Sequence, residues 1–151
     1  MIKFKSYFLL LIAALVFFVL CFYVSKEETF TLNIQATYYV MSVSDFYKGI
    51  AILCLTSGLV YFVLDISKVK LISILSKVHV FGTLLSIVAL IFLNYKNKFD
   101  LKSINFGDIT NTLDYNSYIG ITLMLILFLQ FFFLINIFVA QIKKLRSHRI
   151  S

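Results

Sequence analysis

Few side chains in this sequence could do chemistry. Asp45 and Lys48 stand three residues apart at the head of a long apolar run, so on a helix they share a face. An ionisable residue inside a membrane span is a candidate for handling protons or ions, or for touching a partner subunit. The competing reading is a self-neutralising pair at headgroup level, where both groups reach water, and their depth favours it. His79 is the one histidine near an apolar run, because His148 lies in a basic tail. It has no cluster to join as a metal ligand. A lone histidine a turn or two inside a span is most often a hydrogen-bonded structural group. Cys21 and Cys54 lie within apolar segments without a CxxC partner. Neither a disulfide framework nor a thiolate metal site follows, and both read as small apolar fillers. Gln130, deep in the last apolar run, could bond across to another helix. No nucleophile–base set, phosphate loop, HExxH or paired-carboxylate site occurs. The sequence therefore names no catalytic, cofactor or metal residues and leaves Asp45 and Lys48 as its candidate intramembrane polar pair.

The elements that must position these residues are set by composition. Of 151 residues, 61% are hydrophobic and only 14% charged, with a mean hydropathy of +0.96. Soluble domains carry about 25% charged residues, so this chain cannot coat a globule with charge. Runs of about 20 apolar residues read as membrane spans. Four are expected, at about 7–24, 39–64, 71–95 and 118–141, in a single membrane domain covering 1–151. Only 16 residues separate Lys48 from Asp65, roughly 24 Å as a helix and short of a ~30 Å hydrocarbon layer. The second span is therefore expected to start near Tyr39, with Asp45 and Lys48 in its outer turns. By the same argument the third starts near Leu71, and Lys77 snorkels to the headgroups. Between spans one and two, residues 29–37 alternate polar and apolar and predict a short extended stretch without an obvious partner. Gly49, Ser57, Gly58, Gly82 and Ser86 mark faces where spans two and three could pack closely. Proline is absent, so no span has the ready-made break that many transporters use to build midplane ion sites.

Lysine and arginine set the expected orientation. Lys3, Lys5, Lys68, Lys70, Lys77, Lys143, Lys144, Arg146 and Arg149 fall on one side of the membrane; Lys26, Lys96, Lys98 and Lys102 fall on the other, with Lys48 just inside the helix. The richer side is cytoplasmic, so both termini are expected inside a bacterial inner (cytoplasmic) membrane, with short outer loops. Tryptophan is absent, and Tyr23, Tyr38, Tyr39, Tyr95, Tyr115 and Tyr118 supply the outer interfacial belt. The net charge of +7 belongs to this topology signal; no basic stripe carries the interleaved aromatics of a nucleic-acid site, so nucleic acid is not expected as a partner. Lys3 and Lys5 before an apolar run ending at Cys21 suggest a lipoprotein, but Leu20 stands where a lipobox requires a small residue. Signal-peptide cleavage is not expected either, because Tyr7 to Val24 is long for an h-region and no A-x-A-like site follows.

Residues 37–48, Thr-Tyr-Tyr-Val-Met-Ser-Val-Ser-Asp-Phe-Tyr-Lys, are similar to the His-Asp-Thr-Tyr-Tyr-Val-Val-Ala-His-Phe-His-Tyr stretch of heme–copper oxidase (cytochrome c oxidase) subunit I. In that family the stretch opens the tenth helix from the outer face. Lys77-Val78-His79-Val80-Phe81-Gly82 resembles the Lys-Ile-His-Phe opening of the eleventh helix. Tyr115-Asn116-Ser117-Tyr118-Ile119-Gly120, with Lys143-Lys144 closing the apolar run, resembles the twelfth. The resemblance covers about residues 32–146 and implies spans running inward, outward and inward, as the charge distribution does. It also implies what is lost. Val43 and Asp45 stand at the two heme-ligand positions, and Gln35 and Ala36 at those of the metal-holding pair. Valine has no lone pair for iron and aspartate replaces an axial imidazole poorly. The earlier helices that carry the copper ligands have no counterpart.

The expected protein is thus an all-α integral membrane protein of four transmembrane helices in an up-down bundle, not an enzyme, with no cofactor and no heme. Its expected partners are the lipid bilayer and other membrane subunits or a second copy of itself. The leading function is accessory or assembly component of a respiratory complex, acting through helix–helix contacts. The alternatives are a subunit or scaffold of an unrelated inner-membrane complex, and an ion- or cofactor-binding protein using Asp45, Lys48 and His79.

Overall fold

The computed structural model describes residues 7–25, 28–34, 37–103 and 115–148. In chain order they form helix α1 (Tyr7–Tyr23), strands β1 (Thr29–Ile34) and β2 (Thr37–Ser42), and helices α2 (Val43–Ile66), α3 (Ser73–Ser103) and α4 (Tyr115–His148). Three helical segments are long and apolar enough to cross a membrane: Val43–Ile66, Ser73–Lys96 and Ser117–Leu145. At 17 residues, α1 is shorter. Gln35 and Ala36, the positions matching the oxidase metal pair, lie outside the described residues.

The extended stretch does have a partner. β1 pairs antiparallel with β2 in the register Thr29↔Ser42 to Ile34↔Thr37. The partner is Thr-Tyr-Tyr-Val-Met-Ser, residues expected to open the second span. Threonine, tyrosine and valine fit a pleated ribbon better than a helix, and the pairing satisfies the backbone groups that face β1. The helix therefore starts at Val43, not Tyr39, and the described residues form four helices and one pair of strands. Ser42 sets the boundary: its hydroxyl accepts from the Asp45 N–H at 3.0 Å as the N-cap.

The far end of α2 closes with a Schellman turn. The Val69 N–H donates to the Leu64 carbonyl at 2.9 Å and the Lys68 N–H to that of Asp65 at 3.0 Å. Lys68 takes the left-handed conformation (φ 54°) usually given to glycine. Leu64 and Val69 then pack together with Ala140, the apolar contact that accompanies this motif. α3 and α4 run beyond their apolar segments at several ends. Lysine, leucine and arginine are good helix formers, and nothing in Tyr95–Ser103 or Lys143–His148 breaks a helix.

The helices associate as two close pairs, α1 with α2 and α3 with α4. Each pair has one glycine at its tightest point. A Cβ on Gly58 would come within 2.7 Å of Leu11 Cδ2 on α1, and one on Gly82 within 2.9 Å of Leu129 Cδ2 on α4. These glycines were expected to bring α2 and α3 together; each instead serves its own pair. α2 and α3 meet through side chains, and the seam between the two pairs holds the polar residues.

Candidate functional site

The seam has two halves. Its loop-end half lies near the turn joining α2 to α3, where the start of α1 and the close of α4 also lie; its hairpin-end half lies near β1 and β2. In the loop-end half, His79 is the centre. Its side chain is 0% exposed, although histidine is costly to bury without partners. It has one on each nitrogen. The Tyr61 hydroxyl of α2 is 3.1 Å from Nδ1, and Gln130 Oε1 of α4 is 3.1 Å from Nε2. A carboxamide oxygen only accepts, so His79 Nε2 carries the proton and Nδ1 accepts from Tyr61. Ser57 adds a second donor to Gln130 Oε1 at 3.4 Å, while Gln130 Nε2 faces Thr83 Oγ1 at 3.5 Å. Phe133 stacks on the imidazole at 4.7 Å between ring centroids, 14° between planes. One ring of side chains thus ties three helices across the seam.

A turn closer to the loop end, Asn136 of α4 makes a second tie. Its Oδ1 accepts from the Ile72 N–H at 3.0 Å, and its Nδ2 donates to Ser76 Oγ at 3.0 Å and the Ile72 carbonyl at 3.4 Å. Asn136 is 0% exposed. The first of these satisfies the Ile72 N–H, which the helix ladder leaves without a partner, while the Ile72 carbonyl also accepts from the Ser76 N–H at 3.1 Å. At the surface, the Tyr7 hydroxyl donates to Asp65 Oδ2 at 3.2 Å and the Lys144 ammonium to the Ser67 carbonyl at 3.4 Å. Between Tyr61 and this surface lies an open cavity of about 310 Å³, lined chiefly by Tyr7, Tyr61, Asp65, Ser73, Ser76 and Lys77. Lys77, expected to snorkel, is exposed at this end.

The hairpin-end half of the seam is apolar. Ile50, Cys54, Ile87, Leu90 and Ile126 are buried there, beside a groove of about 490 Å³. Asp45 and Lys48 sit at its rim and make an ion pair of 2.7 Å, with both side chains more than half exposed. Ser42 Oγ also donates to Asp45 Oδ2 at 2.8 Å, so the carboxylate serves the α2 cap as well. Val43, at the other position matching a heme ligand, is buried in the apolar core. The structure therefore separates the residues singled out in the sequence. Asp45 and Lys48 lie near the start of α2, whereas Tyr61, the partner of His79, lies 16 positions later, about 24 Å along the helix.

Tyr61, Thr83, Asp65, Tyr7 and Asn136 were not among the candidates drawn from sequence. A signal was there for some of them. Ser57 and Tyr61 are spaced i, i+4, and Ser76, His79 and Thr83 are spaced i, i+3, i+7, which puts each set on one helix face. Among the described residues, no group of three or more histidine, cysteine, aspartate or glutamate side chains could hold a metal ion. Comparison with protein families, curated proteins and solved structures finds no match.

Proposed function

We propose that this chain is a four-span protein of the bacterial cytoplasmic membrane, both termini inside, that acts as a non-catalytic accessory or assembly component of a respiratory complex. In this reading α1 crosses the bilayer despite its 17 residues, a mismatch that local thinning of the bilayer accommodates. The lysines of the loop end face the cytoplasm.

One observation carries the non-catalytic part. Where the resembled oxidase subunit presents two iron-ligating histidines, Val43 packs into the apolar core and Asp45 accepts from the capping Ser42 hydroxyl and pairs with Lys48. These positions are committed to holding α2 in place, which is what a chain that keeps the bundle and gives up the heme requires. His79 supports the same reading, because both ring nitrogens are engaged by neighbouring helices. The chain then works through its helix faces.

Gentle cross-linking in the source membrane, followed by affinity purification, tests this. Oxidase subunits are expected among the reproducible partners, and their consistent absence overturns the respiratory assignment. A visible spectrum of the purified protein is expected to show no Soret band; a stoichiometric heme contradicts the reading directly.

A further inference from the structure

The two-stranded sheet has an edge that no described strand pairs with. Its strands follow the order β1-β2, and β1 lies against α4, so the outer edge belongs to β2. Hydrogen-bond alternation says which groups that edge presents. The Val43 N–H donates to the Glu28 carbonyl at 2.9 Å, one step beyond the Thr29↔Ser42 pair. Thr37, Tyr39 and Met41 therefore exchange hydrogen bonds with β1, while Tyr38, Val40 and Ser42 turn their backbone groups outward. Tyr39, Val40 and Met41 are all exposed. Successive strand residues point to opposite faces, so the described residues cover this stretch fully on neither. Edges of this kind are normally blunted by charge, proline or a bulge. Thr37–Ser42 contains no charged residue and no proline, and its register with β1 runs without a bulge. We propose that the β2 edge is a self-association site, where β2 of a second copy adds antiparallel to make a four-stranded sheet. The proposal rests on the membrane-spanning part of the reading above, which sets both copies at one depth, and not on the respiratory part.

The chemistry of the edge selects a second copy. A two-fold axis makes an antiparallel edge complementary to itself, and an uncharged edge sets no like charges against each other. Outward groups must meet outward groups, which excludes a register pairing Thr37 with Ser42. Centred on Val40, the pairing exchanges hydrogen bonds both ways between the two Val40 residues. Each Ser42 N–H then meets the Tyr38 carbonyl of the other copy, and the Ser42 carbonyl is left to open the α2 ladder. This centre also sets Tyr39 of the second copy opposite Met41, on the lip of the hairpin-end apolar groove. A thioether against an aromatic ring is a favourable contact, and the ring gains apolar wall. Two strands alone are marginal, and further strands stabilise them.

The test is disulfide trapping in the bilayer. The full chain, with Cys21 and Cys54 replaced by alanine, carries one new cysteine and is mildly oxidised in phospholipid vesicles. Thr37 is exposed like Val40 and serves as the control. Paired Val40 Cα atoms stand about 5.5 Å apart, inside the ~4.4–6.8 Å that a disulfide spans. The two Thr37 positions lie about 20 Å apart, at ~3.4 Å per residue. Val40→Cys should therefore give roughly tenfold more covalent dimer than Thr37→Cys. Native mass spectrometry of the unsubstituted chain released from nanodiscs should show the dimer. Val40→Lys sets like charges opposite each other and should cut that dimer roughly tenfold. Val40→Pro should match it, because it removes an outward N–H and no bond to β1. Both variants should keep their helix content by circular dichroism. A monomeric native chain, equal trapping at Thr37 and Val40, or a dimer surviving both Val40→Lys and Val40→Pro overturns the proposal. So does Val40→Cys trapping a different protein in the source membrane in place of its own copy. Failure of the membrane reading shows separately, as protein that stays in the soluble fraction after cell breakage.

Discussion

The two halves of the seam solve the same problem with opposite chemistry. Near the hairpin, Cys54, Ile87 and Leu90 fill the space between the helix pairs with apolar volume. Near the loop, Tyr61, His79 and Gln130 fill it with a hydrogen-bonded ring. In a bilayer, apolar packing alone gives helices little preference for one another over lipid, whereas polar side chains that find only each other fix which helices meet. The polar half thus specifies the register between the pairs, and the apolar half accepts it. Each pair is held internally by a different device, the close approach at Gly58 or Gly82.

Exchanging the chemistry of the halves breaks this comparison most severely. Leu90→Asn places an amide among Ile87, Ile126 and the other apolar residues of this half, and combines lost burial with the cost of a buried polar group. About 2.5–6 kcal/mol of stability should go, from about 1.5–3 for the side chain and about 1–3 for the stranded amide. Chemical unfolding in detergent measures it. His79→Leu does the reverse: Gln130 Oε1 keeps only Ser57 and the Tyr61 hydroxyl only Ser76 and the open cavity, at about 1–3 kcal/mol. Adding Tyr61→Phe and Gln130→Leu should recover most of that loss, because removing all partners leaves nothing stranded. If the triple variant is as unstable as the single, the ring is not the unit described.

Smaller effects sharpen the contrast. Gly82→Leu should cost about 1–3 kcal/mol by overpacking against Leu129, and in the same range for Gly58→Leu against Leu11. Lys68→Gly should stabilise by up to about 1 kcal/mol by relieving a left-handed conformation at a non-glycine residue. Lys48→Gln, which breaks the exposed ion pair, should leave the unfolding curve where it was.

Particular residues show how much of this was legible in the sequence. The helical segments were, because apolar runs of span length have few alternatives. The start of α2 was not. A helix filling the bilayer would begin at Tyr39, whereas Thr37–Ser42 pair with a strand 13 or fewer residues away. His79 and Gln130 were legible as hydrogen-bonding groups inside spans, yet nothing in the spacing says they bond each other, since that depends on the rotation of α3 against α4. The tie from Asn136 to the Ile72 backbone was harder still, because it joins a side chain to a turn 64 residues distant. Gly58 and Gly82 were visible as close-packing sites but attached to the wrong neighbours, because small residues mark a face without naming what lies on it.

The proposed function puts the polar half of the seam on the cytoplasmic side of a chain crossing the membrane four times. Impermeant maleimide labelling of single cysteines tests it most directly, in a chain with Cys21 and Cys54 replaced by alanine. Thr37→Cys, on the hairpin, should label in intact cells. Lys70→Cys, on the loop, and Lys3→Cys should label only after the cells are opened. Labelling of Lys70→Cys from outside contradicts the orientation, and labelling of Lys3→Cys together with Thr37→Cys shows that α1 does not cross.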